Sequence, residues 1–179
     1  VTAAESIADV FAERKIGHVF GIIGAGNVHL FDAITRRGHT QIVAVHHEQA
    51  AVMAANAYFR VSGQVTCALV TTGAGASNAL TGVLSAFMDS IPLVVIAGQE
   101  PSTREHVGRA RGVQGFDSVK AFEPVTKWAY RFSTAHVRQT LDLAFSYARS
   151  DRPGPVWLEL PSDLQAQAAA AKVEMQKAM

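Results

Sequence analysis

Helix-period and strand-like apolar patterns take turns along the 179-residue chain. Ile7, Val10 and Phe11 recur at helical spacing behind the capping pair Thr2 and Glu5. A helix is therefore predicted from Thr2 to about Lys15, with Gly17 as its stop. Further helical patterns are read from Asn27 to Arg36, Glu48 to Val61, Ser77 to Met88 and Thr134 to Ser150. Strand-like runs are read from His18 to Ile23, Gln41 to His46, Thr66 to Thr72, Leu93 to Ala97, Val125 to Phe132 and Val156 to Leu160. Such alternation is the pattern of an α/β fold whose parallel sheet is covered on both faces. The runs CALV and LVVIAG are apolar without interruption, which predicts two central strands buried on both sides. Trp128 and Tyr130 alternate along one strand and are expected in the core. From Pro101 to Phe122 glycines and charges mix, an irregular excursion of the kind that often carries function.

Composition narrows the class. A hydrophobic fraction of 49% is ample for one packed domain. With Lys+Arg 16 against Asp+Glu 15 there is no basic field to attract nucleic acid, which is not expected as a partner. Cys67 is the only cysteine, so an intrachain disulfide and a cysteine metal cluster are excluded, and its apolar neighbours make it a small buried hydrophobe. No segment is apolar for long enough to span a bilayer, and the first residues lack the pattern of a secretory signal, so the expected compartment is the cytoplasm. After Pro161 the segment SDLQAQAAAAKVEMQKAM loses its apolar face. This places the domain at residues 1–163 and the start of a linker to a further domain at 164–179, a solvated final helix being the alternative.

Candidate chemistry gathers where strands end. Glu48 closes the run from Gln41 to His46 and opens an alanine-rich helix, so its carboxyl is expected at the C-terminal edge of the sheet, where open α/β folds place ligands. A carboxyl held between a helix dipole and apolar surroundings can exchange a proton with a bound heterocycle. The plainer reading is that Glu48 satisfies backbone donors at the helix start. Two more strand ends carry glycine loops, HVFGIIGAGN and CALVTTGAGASN. Glycines 21, 24 and 26 allow backbone to approach a ligand, yet their order is G-x-x-G-x-G rather than that of a dinucleotide site, and tight turns explain them equally well. His46 and His47 are adjacent on a strand and point to opposite faces, so no metal site is expected from them. His47, and His29 after the first glycine loop, remain candidates for a pocket beside Glu48.

Five segments in order, HVFGIIGAGNVHLFDAI, HHEQAAVMAANAYFRVSG, VTTGAGASNALTGVLSAFMDSIPLVVIAGQ, FEPVTKWAY and RPGPVWLELPSD, resemble the pyrimidine-binding domain of thiamine-diphosphate-dependent enzymes, the acetolactate synthase group above all. The likeness runs from about residue 2 to residue 163 and implies a doubly wound, mainly parallel six-stranded sheet with helices on both faces. By position, Glu48 matches the glutamate that bonds the aminopyrimidine ring nitrogen. There it would favour the imino tautomer that removes the thiazolium proton, leaving a nucleophile for a 2-oxo acid. Ile23 and Gly24 match a Pro-Gly pair beside the pyrimidine. Thr71, Ala74 and Asn78 lie in a loop that reads GPGATN in the family and GAGASN here. Gln114 matches a glutamine on the substrate side and joins Glu48 as the second catalytic candidate, with Lys127, His29 and His47 as candidates for the substrate pocket. Ile23 stands for a proline, Val113 for a phenylalanine and His29 for a non-ionisable residue. These departures leave acetolactate synthesis open against a related decarboxylase, carboligase or carbon-carbon hydrolase.

The resemblance also implies what lies beyond this domain. In the family the diphosphate and its Mg2+ bind a separate domain through a GDG…N motif, which these residues do not contain, and FAD is left open. The expected partner is the diphosphate-binding domain of a neighbouring subunit in a homodimer or tetramer, and the expected substrate a small 2-oxo acid or diketone. Ala50, Ala51, Ala54, Ala55 and Ala57 would suit close helix packing at such an interface, or simply on the parent sheet. The fragment alone would be inactive. The alternative is a non-catalytic half-site subunit completed by a separate diphosphate-binding chain; a nucleotide-binding domain, the third reading, is disfavoured by the glycine order.

Overall fold

The structure, a computed structural model, describes residues 1–103, 114–133 and 136–169. Six parallel strands, β1 (His18–Gly21), β2 (Gln41–Ala44), β3 (Cys67–Val70), β4 (Leu93–Gln99), β5 (Trp128–Arg131) and β6 (Pro155–Pro161), form one sheet in the order β2-β1-β3-β4-β6-β5. The helices are α1 (Ala3–Glu13), α2 (Val28–Arg37), α3 (Glu48–Ser62), α4 (Ala74–Ser77), α5 (Leu80–Met88), α6 (Ser118–Phe122), α7 (Val137–Arg149) and α8 (Ser162–Ala166). This is the doubly wound α/β fold. From β1 the chain runs through α2 on one face to the edge strand β2, then back through α3 on the other face to β3. The strand order thus reverses between β1 and β3, and the loops leaving these two strands part at the C-terminal edge.

Each face has its own core. Ile7 and Phe11 of α1, Leu30 and Ile34 of α2, and Leu141 and Phe145 of α7 pack on Cys67, Leu69, Val94 and Leu158. Across the sheet, Ala51, Val52 and Ala55 of α3 and Val83 and Ala86 of α5 pack on Ala68, Val70, Val95 and Trp157. Successive strand residues feed opposite cores, which is why CALV and LVVIAG carry no polar position. Cys67 is fully buried in β3, and burial pushes its thiol up. Among the described residues no helix is long and apolar enough to cross a membrane.

Several boundaries differ from the pattern-based expectation. The first helix ends at Glu13 rather than running to Lys15, and Gly17 has no part in stopping it. Lys15, at φ 56, donates its N–H to Ala12, and the Ile16 N–H bonds back to Phe11, a Schellman closure with lysine where glycine is usual. The strand expected from Val125 begins only at Trp128, because Glu123–Val125 forms a 3-10 turn and the Thr126 hydroxyl bonds back to Phe122. The helix expected from Ser77 begins only at Leu80 as α5, preceded by the separate short helix α4, into which Gly73 at φ 65 turns the chain sharply out of β3. Trp128 and Tyr130 stack at 4.9 Å between centroids, half-buried on edge strand β5 against the core. Part of the segment expected to begin a linker at residue 164 is attached to the domain: Gln165 is buried, and Ala168 bridges Thr2. Val113, Thr134 and residues 170–179 lie outside the described residues.

Candidate functional site

The parting of the loops after β1 and β3 leaves a crevice of about 330 Å³. Gly24, Ala25 and Gly26 form one wall, Thr71 and Thr72 the other, and Gln99, Glu100, Gln114 and Ser162 close it. The glycines are required by contact rather than by turn geometry. A side chain at Gly24 would collide with Thr71, and one at Gly26 with Thr72, so the two loops touch backbone against side chain. Asn27 braces the first loop, accepting the Gly24 N–H at 2.8 Å and donating to the Ile22 carbonyl at 3.1 Å.

Glu48 opens α3 beside this crevice and is buried, with 7% of its surface exposed. It does not cap its own helix; that task falls to His47, whose Nδ1 accepts the Gln49 N–H at 3.2 Å. Glu48 Oε2 accepts from Asn78 Nδ2 at 3.1 Å, while Oε1 has no hydrogen-bond donor among the described residues. Buried carboxylate oxygens are normally satisfied, which marks Oε1 as a candidate ligand acceptor. Gly75 packs closely against that oxygen: a Cβ there would stand 2.7 Å from Oε1 and 2.5 Å from Thr71 Cγ2. Thr71, which also lines the crevice, thus lies between the Glu48 carboxyl and the crevice wall.

The expected residues divide by position. Gly24, Thr71 and Gln114 line the crevice, and Ala74 and Gln114 line an adjoining hollow of about 360 Å³ with Gly73, Ser77 and Phe116. Ile23, 58% exposed, stands in the first loop beside Gly24. Asn78 is the direct partner of Glu48. His29 is exposed on the first turn of α2 and His47 exposed at the start of α3, both at the same rim. Lys127 is not brought there: it precedes β5, at the opposite edge of the sheet, and donates to the Ser150 carbonyl and hydroxyl. Three contributors had no sequence signal of their own. Gln99 and Glu100 enter only because β4 extends to Gln99, and Gln165, buried within α8, donates to the Gly26 carbonyl at 2.6 Å and accepts the Leu30 N–H at 3.2 Å. Among the described residues no group of three His, Cys, Asp or Glu could hold a metal ion.

A parallel sheet with its crevice at the switch point, where open α/β folds place their ligands, defines an α/β domain of the doubly wound class. The chain belongs to the thiamine pyrophosphate enzymes as their N-terminal TPP binding domain, the family model matching residues 1–123. It is 38% identical over 164 residues to the acetolactate synthase large subunit of Haemophilus influenzae, covering 91% of this chain and 28% of that protein. Against the acetolactate synthase isozyme 3 large subunit of Escherichia coli strain K12 it is 39% identical over 165 residues, with 92% and 28% covered. Against the mitochondrial acetolactate synthase of Schizosaccharomyces pombe it is 38% identical over 166 residues, with 92% and 24% covered. The chain therefore spans about a quarter of the length of the curated relatives it matches.

Proposed function

We propose that the chain is the pyrimidine-binding half of an enzyme that uses thiamine diphosphate to act on 2-oxo acids or diketones, in the manner of acetolactate synthase. The observation that carries this reading is the buried Glu48 carboxylate with one oxygen held by Asn78 and the other unpartnered. A protonated ring nitrogen is the donor that Oε1 lacks, and Gly75 packs beside that oxygen without a side chain to crowd it. When bound, the cofactor supplies the nucleophilic carbon and electron sink that 2-oxo acid chemistry needs. Glu48 holds a proton at Oε1 and returns it, Asn78 fixes the carboxyl plane, and Ile23, Gly24, Thr71 and Ala74 shape the pyrimidine side. Gln114 stands at the substrate side, where it borders both hollows.

The diphosphate and its Mg2+ belong, in this reading, to a second domain contributed by a neighbouring subunit, so that activity requires association. Leu80, Leu84 and Met88 along α5 and Met53 on α3 support this, being large apolar side chains more than two-fifths exposed on packed helices. No described residue is assigned to FAD. Glu48→Gln in the full-length protein keeps the shape but not the proton, and turnover of a 2-oxo acid should fall roughly a hundredfold or more with the melting temperature unchanged. Wild-type turnover in that variant would overturn the assignment.

A further inference from the structure

Behind the crevice a second carboxylate is buried completely. Glu159, 0% exposed on β6, receives Ser118 Oγ and Gln99 Nε2 (2.8 Å) at Oε2, and Arg131 Nε at Oε1. The direction of every bond is fixed by chemistry. The Trp157 indole can only donate, and it donates to Ser118 Oγ at 3.0 Å, so the Ser118 hydrogen turns to Glu159. Arginine likewise only donates. Each group around the carboxylate is thus a donor, and Gln99 must present its amide nitrogen to it. That choice leaves Gln99 Oε1 to accept the Glu100 N–H at 2.9 Å, while the same Nε2 donates to the Phe116 carbonyl at 2.7 Å. Glu100 in turn accepts the Gln114 N–H at 3.2 Å. Gln99, Glu100 and Gln114 are the side of the crevice formed beyond β4.

We propose that Glu159 is a positioning residue: its buried carboxylate fixes the orientation of the Gln99 amide, and Gln99 holds the Gln114–Phe116 segment at the mouth of the crevice. The meaning of this for substrate rests on the proposed function, because Gln114 is the residue that reading places beside the 2-oxo acid. Glutamine at 159 could keep its one oxygen towards Gln99 and Ser118 and turn its nitrogen to the partly exposed Arg131, whereas leucine removes both acceptors. With leucine the Gln99 amide loses the bond that holds it, and its bonds to the Phe116 carbonyl and the Glu100 N–H loosen.

The test uses the full-length protein with Glu159→Leu, Gln99→Ala and the double variant. Hydrogen exchange of the backbone amides over residues 114–118 should speed up about tenfold or more in each single variant, and the double variant should exchange no faster than Gln99→Ala alone, the sign of one shared pathway. The Michaelis constant for a 2-oxo acid should rise about tenfold while kcat and the cofactor dissociation constant stay within about twofold. Unchanged exchange over 114–118, additive effects in the double variant, or a lowered melting temperature with both exchange and the Michaelis constant unmoved would each overturn the proposal. The exchange measurement needs no cofactor or substrate, so it decides the role of Glu159 in holding the segment even if the 2-oxo acid reading fails.

Discussion

Glu48 and Glu159 are both buried carboxylates, and the difference between them lies in their donors. Glu159 is met by Arg131, Ser118 and Gln99, whereas Glu48 has Asn78 on one oxygen and no donor among the described residues on the other, where Gly75 packs closely. A fully satisfied carboxylate serves position, and a half-satisfied one waits for a ligand. Gly75 is the residue whose missing side chain keeps that oxygen uncrowded. In Gly75→Ala the new methyl group must push Glu48 or Thr71 aside, so thiamine diphosphate should bind about tenfold more weakly, or about 1.4 kcal/mol, in isothermal titration of the full-length protein. Undiminished binding would show that the Oε1 side of Glu48 is not where the ring docks. Glu48 was legible as a candidate because it stands at a strand-to-helix junction; that the helix cap falls to His47 was not, because sequence assigns that side chain no such task.

At the scale of elements, the helix ends show where pattern reading stops. Periodicity places α1 correctly in register, and the Thr2–Glu5 capping box is present as expected, with Thr2 N–H on Glu5 and Glu5 N–H on Thr2. Its other end escapes the rule that glycine stops a helix, because Lys15 adopts the left-handed turn two residues before Gly17. A non-glycine side chain in that conformation is strained by about 1 kcal/mol. Lys15→Gly should therefore raise the urea midpoint, with a gain of about 0.5–1 kcal/mol by denaturant titration, and a loss would show that Lys15 makes compensating contacts. The 3-10 turn at Glu123–Val125 escaped for a similar reason: a side chain, Thr126, bonds locally to the backbone and delays the strand.

For the whole molecule, two cores share one sheet, and Cys67 lies in the core under α1 and α7, on central strand β3. Nothing short of separating α1 and α7 from the sheet exposes it. Labelling of Cys67 by an aromatic disulfide reagent should proceed at the rate of global unfolding and accelerate in urea with the full unfolding slope; rapid labelling in native buffer would mean that β3 opens on its own. The sequence by itself determined the order of helices and strands, the central place of β3 and β4, and the rim position of Glu48, since each follows from local periodicity and from which residues tolerate burial on two faces. Only the tertiary structure decided that Gln99, Glu100 and Gln114 close the crevice, that Gln165 braces the Gly26 loop, that Lys127 stands at the far edge, and that Glu159 meets donors from β4, α6 and β5. Those facts depend on which strands become neighbours, and pairing between segments far apart in the chain leaves no mark on the local pattern of either one.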